Sequence, residues 1–265
     1  MDSQKKVLCI ALIAFCFCVF FTLFGCSYSN EAEVKKELLI YCGITMIKPM
    51  NELAEIIEKE QGCKIIITKG GSGNLLRSIR ANGVGDLYLP GSESYIQTCI
   101  DEKLISSTVH VGYNKAAMMV QKDNPLNIPN NLTALTNPQY YVVIGNPTSG
   151  SIGRETKKIL ERAEIFKDVL KNARVLTTDS KDLVSVLKNG EADLVVNWYA
   201  TSRWNENSHD IEVLPIDSKY AKRKNLVLGL LNSSTYPEIA KRFMELASSD
   251  KGKAIFNKYG LYEVR

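Results

Sequence analysis

The sequence predicts an α/β protein of two lobes, each a mostly parallel sheet flanked by helices. Short apolar segments alternate with amphipathic segments of helical length, and this alternation favours parallel strands with helices on both faces. Two hydroxyl-bearing turns, Gly43-Ile44-Thr45 and Gly70-Gly71-Ser72-Gly73, each follow a strand-like segment and begin a helix-like one. Removal of an export signal of 25 residues leaves 240 of the 265 residues, enough for two lobes of about 100 to 130 residues each.

The first half of the chain predicts three strands that alternate with three helices. Apolar residues of the first helix, including Met50, Leu53 and Ile57, share one helical face, and Gly62 follows the end of that helix. The strands are predicted at residues 37–41, 64–68 and 86–89, and the helices at residues 47–61, 74–82 and 92–103.

The second half has the same organisation, without an internal sequence repeat. Gly190 ends one helix of this half, and two closing helices complete the chain. Strands are predicted at residues 115–121, 141–144, 174–177, 193–197 and 226–231, and helices at residues 151–163, 179–189, 237–248 and 251–259.

The N-terminus has the features of a lipoprotein export signal. Lys5 and Lys6 precede an apolar stretch over residues 7–24, which ends in Leu23-Phe24-Gly25-Cys26. This pattern predicts a signal peptide over residues 1–25, lipidation of Cys26 and a polar tether over residues 26–36. An uncleaved membrane anchor is the alternative, because about 18 apolar residues approach the length that spans a bilayer. Both interpretations place the rest of the chain outside the cytoplasm, on the outer face of the plasma membrane or in the periplasm.

Charge and cysteine content exclude several classes of function. The net charge is +4 and the charges are interspersed, so the sequence does not indicate a nucleic-acid-binding protein. Three cysteines follow Cys26, at positions 42, 63 and 99, and none has metal-ligand spacing with another cysteine or a histidine. We therefore expect buried thiols, no disulfide framework, no resident metal and no cofactor.

The two hydroxyl-bearing turns are candidates for anion binding. Strand-to-helix turns place backbone N–H groups and small hydroxyls at the positive ends of helices, which can hold an anion without a cationic side chain. Each turn also has a purely structural interpretation: Thr45 and Ser72 as helix N-caps, and the glycines as a connection that needs positive φ.

Several short motifs, taken in order, resemble a known family. They are Gly70-Gly71-Ser72-Gly73-Asn74-Leu75, Gly85-Asp86-Leu87-Tyr88-Leu89, Lys122-Asp123-Asn124-Pro125, Ile144-Gly145-Asn146-Pro147 with Gly153-Arg154, Gly190-Glu191-Ala192-Asp193 and Lys258-Tyr259-Gly260-Leu261. From about Glu37 to the C-terminus, the chain resembles the molybdate- and tungstate-binding branch of the type 2 periplasmic binding proteins. The resemblance implies a monomeric lipoprotein of an ABC importer, with a permease and an ATPase as partners. It also implies a ligand clamped between one lobe over residues 37–114 and 219–265 and another over residues 115–218.

The resemblance also implies the binding residues. Family positions that donate hydroxyls match Thr45 and Ser72, and family positions that donate backbone N–H groups match Ile152 and Ser180. A family tyrosine hydroxyl matches Trp198, which offers an indole N–H instead and has Tyr199 beside it. Gly71, Gly73 and Ser151 are further candidates, and Ser149-Gly150-Ser151 replaces a more apolar, proline-bearing loop of the family.

The chemistry of these donors leaves the ligand open. Molybdate and tungstate are fully ionised near neutral pH and only accept hydrogen bonds, so a site made of donors suits them. Sulfate and phosphate are alternatives. Phosphate would gain from a carboxylate acceptor such as Asp86 or Asp179. These two residues also have a structural interpretation, Asp86 as a lobe-edge residue and Asp179 as a helix cap. Ferric iron is another alternative, supported by Tyr199 alone. Trp198 and Tyr199 could also be core aromatics.

An enzyme is not expected. A serine hydrolase turn needs Gly-x-Ser-x-Gly, and the segment around Ser72 has Asn74 at the last position. His110 and His209 are the two histidines of the chain, and His209 lies in a polar stretch. An exported serine hydrolase is thus a remote alternative, and a sensor or adhesin that works without a transporter is a third.

Overall fold

Two five-stranded sheets form the framework of the protein. The computed structural model describes residues 36–262, and the predicted signal peptide, Cys26 and nearly all of the predicted tether lie outside these residues. The first sheet contains β1 (Glu37–Gly43), β2 (Lys64–Gly70), β3 (Leu87–Leu89), β4 (Ile105–Asn114) and β10 (Lys224–Leu231). The second contains β5 (Ala116–Gln121), β6 (Val142–Gly145), β7 (Val175–Thr177), β8 (Leu194–Trp198) and β9 (Ile211–Leu214).

The two sheets share one topology. Their strand orders are β2-β1-β3-β10-β4 and β7-β6-β8-β5-β9, and in each sheet one strand, β10 or β5, runs against the other four. The sheets are therefore mostly parallel, as predicted. Because parallel strands end at the same edge of a sheet, the turns after β1, β2 and β3 lie together, and so do those after β6 and β7. The register pairs Gly43 with Gly70, which places the two hydroxyl-bearing turns side by side.

Helices cover both faces of each sheet. In the described residues they are α1 (Ile47–Gln61), α2 (Ser72–Asn82), α3 (Glu93–Asp101), α4 (Ser151–Arg162), α5 (Phe166–Asn172), α6 (Ser180–Lys188), α7 (Pro237–Ser248) and α8 (Asp250–Lys258), with 3-10 turns at Ile44–Met46, Leu132–Thr136 and Tyr199–Arg203. Both α1 and α7 have the predicted bounds, whereas α2 begins two residues before the predicted start. No helix among residues 36–262 is both long and apolar enough to span a bilayer.

Three elements are absent from the prediction: β4, β9 and α5. Strands β4 and β9 lie at the edges of their sheets. Most side chains in the first half of β4 are exposed, so its sequence, Ile-Ser-Ser-Thr-Val-His, lacks the apolar alternation of a half-buried strand. Helix α5 has seven residues, too few for a helical period to stand out.

The lobes have separate cores. In the first lobe, one apolar cluster packs β1, β3 and β10 against α1, α7 and α8, and another packs the opposite face of that sheet against α2 and α3. In the second lobe, a single cluster surrounds β5, β6 and β8. Three cysteines, Cys42, Cys63 and Cys99, are buried in the first lobe. Burial raises the pKa of the Cys42 thiol and raises that of Cys99 to about 11.

The chain connects the lobes at several points. It leaves the first sheet after Asn114, at the end of β4, and enters the second at Ala116. Ala221 still packs in the second core, and β10 of the first sheet begins at Lys224. Ala200, just after β8, packs in the core of the first lobe. Short connections therefore join the two lobes.

Candidate functional site

A small cavity lies between the lobes, at the carboxyl ends of the parallel strands. The first lobe contributes Gly43, Ile44, Thr45, Met46, Gly70, Gly71, Ser72 and Gly91, and the second contributes Gly150, Ser151, Ile152, Asp179 and Ser180. About 10 Å³ of this space is open to the centre of a water-sized sphere. Sites for drug-sized ligands have about 300 to 1,000 Å³, so the closed cavity is far smaller than a site for an organic molecule.

Most of the residues predicted to bind the ligand line this cavity. They are Thr45, Gly71, Ser72, Ser151, Ile152 and Ser180. Trp198 is buried behind the lining, and its indole nitrogen lies 3.2 Å from Ser151 Oγ. Gly73 lies beside the cavity against the carbonyl oxygen of Thr148. Tyr199 is not part of the lining, and its backbone N–H donates to the carbonyl of Lys115.

Four helices begin at the cavity. Their N-cap residues are Met46, Gly71, Gly150 and Asp179, which precede α1, α2, α4 and α6, and all four line the cavity. The first N–H groups of a helix have no partner within the helix and carry its positive dipole end. Only the Asp179 side chain caps its own helix, and the other three N-caps make no side-chain capping bond within the described structure. The starts of α2 and α4, which have no side-chain cap, therefore converge on one buried space, whereas α1 continues a 3-10 turn whose Ile44 carbonyl accepts the Ile47 N–H.

The serine hydroxyls of the cavity are set to donate. Ser72 Oγ accepts the backbone N–H of Gly91 at 3.0 Å, and Ser151 Oγ accepts the indole N–H of Trp198 at 3.2 Å. A hydroxyl that accepts from a nitrogen donor keeps its own proton for another acceptor. The buried Tyr88 hydroxyl, which donates to the Ser72 carbonyl at 2.7 Å, fixes the backbone at this point.

Residues outside the lining hold α6 at the cavity. Asn197 is fully buried, and its side chain accepts the N–H of Trp198 at 2.8 Å while it donates to the Ser180 carbonyl at 2.9 Å. Asn197 thereby ties the end of β8 to the start of α6. The Ser180 hydroxyl in turn lies 3.4 Å from Thr45 Oγ1 of the other lobe.

Gly91 is a lining residue that the sequence analysis missed. It follows Pro90 in the turn after β3, a position that the sequence indicated only as a turn. A Cβ atom at Gly91 would lie 2.3 Å from Ser151 Oγ and 3.4 Å from the Trp198 indole nitrogen. The position of Gly91 after a strand, parallel to the two hydroxyl-bearing turns, is the sequence signal that could have identified it.

The charge of the cavity comes from backbone dipoles and one carboxyl group. Within the described part of the chain, the lining contains no lysine or arginine, and its one ionisable side chain is Asp179. Burial raises the pKa of Asp179, although its capping bonds to the N–H groups of Lys181 and Asp182 act in the opposite direction. Asp86 has a structural role instead, because its carboxylate accepts from the N–H of Leu39 and from residues 234–236.

The lobes are closed on each other around the cavity. The N–H of Asn74 donates to the Ser149 carbonyl at 3.1 Å, and Arg77 donates to the Thr148 carbonyl at 3.2 Å. The Arg154 guanidinium of the second lobe lies 3.7 Å from the centre of the Tyr95 ring of the first. A Cβ atom at Gly71 would lie 2.5 Å from the Ser149 carbonyl oxygen, so this contact requires glycine.

Among the described residues, no set of side chains is arranged for metal binding or for serine hydrolysis. Residues 36–262 contain no group of three or more His, Cys, Asp or Glu side chains that could hold a metal ion. His110 packs against the ring of Tyr113 on β4, at the edge of the first sheet, while Ser72 bonds to the backbone of Gly91.

Comparison with known proteins shows the family. The profile of the family described as bacterial extracellular solute-binding protein matches residues 38–262. A Haemophilus influenzae protein named only as a binding protein is 26% identical over 84% of this chain and 90% of its own length. The molybdate-binding protein ModA of Escherichia coli is 21% identical over 91% of this chain and 93% of its own length.

Solved structures show the same fold. The periplasmic molybdate-binding protein of Azotobacter vinelandii superposes with a TM-score of 0.73 at 16% identity, over 86% of this chain and all of that one. A sulfate-binding protein from Mycobacterium tuberculosis and a periplasmic thiamin-binding protein each give a TM-score of 0.74. These relatives are binding proteins and not enzymes. The chain belongs to the bacterial extracellular solute-binding proteins.

Proposed function

We propose that this protein captures a small, fully ionised tetrahedral oxyanion, molybdate or tungstate, between its lobes and delivers it to a permease. One observation carries the proposal: Ser72 and Ser151 each accept a hydrogen bond from a protein N–H group, in a cavity where α2 and α4 begin without a side-chain cap. The hydroxyl protons and the N–H groups of the first helical turns are then available to an ion that only accepts hydrogen bonds. Hydrogen bonds to an ionised acceptor are about twice as strong as neutral ones, so no cationic side chain is required.

Cavity size supports an inorganic ion over an organic solute. The open volume of about 10 Å³ is near the space that one water molecule needs. A thiamin-sized ligand would hold the lobes apart and break the contact between Asn74 and Ser149. The ferric-iron alternative loses its support, because Tyr199 is not part of the lining.

Phosphate is the weaker of the oxyanion alternatives. Hydrogen phosphate carries a proton that needs an acceptor, and Asp179 is the lining side chain that could supply one. Its Oδ1 atom already accepts two backbone N–H groups at the start of α6. Sulfate is fully ionised like molybdate and differs from it mainly in size. The relatives named as molybdate-binding proteins support molybdate, the larger of these two ions, as the ligand.

The proposal includes the position of the protein in the cell. Lipid on Cys26 would anchor the chain to the membrane, and two or more acyl chains suffice for stable anchoring. The polar tether predicted over residues 26–36 would let a monomer meet the permease and its ATPase partner.

A titration of the full-length chain in detergent tests the proposal. Calorimetry with molybdate, tungstate, sulfate, phosphate and ferric citrate should give tight binding of molybdate or tungstate. At 1,000 times the dissociation constant, the bound ion should stabilise the protein by about 4 kcal/mol in a thermal-shift assay. Ser151→Ala should weaken binding about ten- to a hundredfold, because a charged acceptor loses one donor.

The control variant is Ser78→Ala, whose hydroxyl donates to the Asn74 carbonyl within α2, away from the cavity. This variant should bind like the wild type. Absence of binding to both molybdate and tungstate would overturn the assignment of the ion, and unchanged affinity in Ser151→Ala would overturn the assignment of the cavity.

A further inference from the structure

A second groove lies beside the anion cavity, along the seam between the lobes. It has a volume of about 330 Å³ and shares Ile44 with the anion cavity. The first lobe contributes Ile47, Lys48 and Lys69 to its walls, and α6 contributes Lys181, Val184 and Lys188. The segment after β8 closes one end with Trp204, Glu206 and Asn207. We call this space the seam groove.

The seam groove is basic. Four lysines line it against one acidic residue, Glu206. Lys48 pairs with Glu206 at 2.5 Å, and Lys188 pairs with Asp210 at 2.8 Å. Lys69 and Lys181 are exposed, and neither side chain forms an ion pair with another described residue. Among the described residues, Lys69 and Lys181, one from each lobe, therefore form no salt bridge along the seam, and Lys181 also interacts electrostatically with the Asp179 carboxyl beside the cavity.

These two lysines lie next to the anion cavity in the chain. Lys69 directly precedes Gly70, and Lys181 directly follows Ser180, and both neighbours line the cavity. The lysine side chains lie in the seam groove and are not part of the cavity lining. A solute that reaches the cavity along the seam passes these charges before it meets the hydroxyls.

We infer that Lys69 and Lys181 attract the oxyanion to the seam and accelerate its association, without contacting the ion once it is enclosed. This inference rests on the proposed function. It assigns control of the association rate to residues outside the binding cavity. Charges that line a cleft with low-dielectric walls raise the local concentration of oppositely charged ligands and increase association rates about tenfold or more. A dianion gains more from this field than a monoanion, because the attraction scales with ligand charge.

Both lysines are exposed and lie outside the cavity lining, so they act on the approach of the ion. The neutral donors then hold the ion, and the lysines remain in solvent. Removal of the lysines should therefore change the association rate constant and leave the dissociation rate constant nearly unchanged.

Stopped-flow kinetics on the full-length chain in detergent tests this inference. The fluorescence of Trp198 and Trp204 serves as the signal, and tungstate and molybdate serve as the probes. At about 0.01 M salt the Debye length is about 30 Å, so Lys69→Gln combined with Lys181→Gln should lower the association rate constant about five- to tenfold. The difference from wild type should disappear at about 1 M sodium chloride, where the Debye length is about 3 Å.

The matched control combines Lys59→Gln with Lys167→Gln. Both lysines are exposed, one lies on each lobe, and neither lines the groove or forms an ion pair with a described residue. The control removes the same charge and should associate like the wild type. Equal association rate constants in the two double variants at low salt would overturn the inference. A change confined to the dissociation rate constant would overturn it as well. Failure of the wild type to bind either probe would overturn the proposed function itself, and this inference with it.

Discussion

The hydroxyl oxygens of Thr45 and Ser180 lie 3.4 Å apart, although the two residues belong to different lobes and are separated by 135 positions in the chain. Thr45 lies in the turn after β1, and Ser180 is the first residue of α6. This contact forms only when the lobes meet. The contact between Thr45 and Ser180 therefore couples closure of the lobes to the position of these two hydroxyl groups.

Thr45→Val should weaken binding of molybdate or tungstate about ten- to a hundredfold, because a buried charged acceptor loses a donor. The melting temperature of the unliganded protein should change little. The control is Thr98→Val, whose hydroxyl donates to the Ser94 carbonyl within α3. Isothermal calorimetry measures both variants, and equal affinities would show that Thr45 serves only the local turn.

Gly71→Ala should hinder closure of the lobes. The added Cβ would lie 2.5 and 2.7 Å from the carbonyl oxygens of Ser149 and Thr178, and backbone atoms cannot move aside easily. Overpacking of this kind costs about 1 to 3 kcal/mol, so affinity should fall about five- to a hundredfold. Small-angle scattering should show a smaller contraction on addition of the oxyanion than in wild type.

The neighbouring Gly70 provides the control for this variant. A Cβ atom at Gly70 would meet only Leu75, at 3.6 Å, which is an ordinary contact. Gly70 also lines the cavity, so the comparison rests on closure and not on affinity: Gly70→Ala should contract on addition of the oxyanion like the wild type. The same reduced contraction in both alanine variants would contradict the assignment of Gly71 to the contact between the lobes.

Asp179→Asn should strengthen binding of a fully ionised oxyanion at neutral pH. The asparagine keeps the N-cap and removes a negative charge beside the cavity, worth about 1 kcal/mol or roughly fivefold in affinity even under water-like screening. Hydrogen phosphate should show the opposite response if the carboxylate accepts its proton. Calorimetry of the two ions on the same variant separates these outcomes.

The stability of the unliganded protein should also depend on Asp179. Burial raises the pKa of this carboxyl above its ordinary value, so the folded state holds the proton more tightly than the unfolded state does. The stabilising contribution is therefore largest at low pH and is lost as pH rises from the ordinary pKa through the raised one. The difference in melting temperature between wild type and Asp179→Asn should change across this acidic range, and a constant difference would contradict the raised pKa.

Arg154→Gln should speed release of the oxyanion. The Arg154 guanidinium stacks 3.7 Å from the centre of the Tyr95 ring and joins the two lobes. Cation–π contacts contribute about 0.5 to 2 kcal/mol, so the dissociation rate should rise about two- to thirtyfold. Arg174→Gln is the control, since Arg174 stacks on Tyr141 within the second lobe at 5.1 Å. Stopped-flow displacement measures both rates, and equal dissociation rates would exclude a role of Arg154 in holding the lobes together.

Cys26→Ala should prevent lipidation of the exported chain. The predicted lipoprotein signal ends in Leu23-Phe24-Gly25-Cys26, so the variant should accumulate as a precursor or appear in the soluble fraction. Cys18→Ala, within the apolar stretch, should be processed normally. Mass spectrometry of the membrane fraction tests both, and an unchanged mass and location of Cys26→Ala would refute lipid attachment.

The sequence could predict the convergence of the turns but not their internal contacts. Thr45, Ser72, Ser151 and Ser180 each follow an apolar strand by a few residues, and parallel strands bring such positions to one edge. The hydrogen bond from Trp198 to Ser151 depends on side-chain packing within the second lobe, which no local pattern encodes. Gly91 contributes an N–H group, and a backbone donor leaves no side-chain signature.

The dependence on tertiary contacts also explains which strands were not predicted from the sequence. Central strands such as β1 and β8 are buried on both faces and stand out as apolar segments. Strands β4 and β9 lack such a segment, because the first half of β4 is largely exposed and β9 has only four residues, so tertiary pairing, and not composition, makes them strands. The two-lobed fold itself was predicted correctly, because the alternation of strands and helices extends over most of the chain.

Burial of the native thiols has a practical consequence for following the lobes. From Ser27 onward the chain contains three cysteines, all buried, and the raised pKa values of Cys42 and Cys99 keep these thiols protonated at neutral pH. Maleimide reagents attack thiolates at the surface. In the part of the chain from Ser27 onward, a cysteine pair introduced at the exposed positions Lys59 and Lys167 would accept two fluorophores, one on each lobe, without removal of Cys42, Cys63 or Cys99. The protein is thereby ready for single-molecule distance measurements of opening and closing.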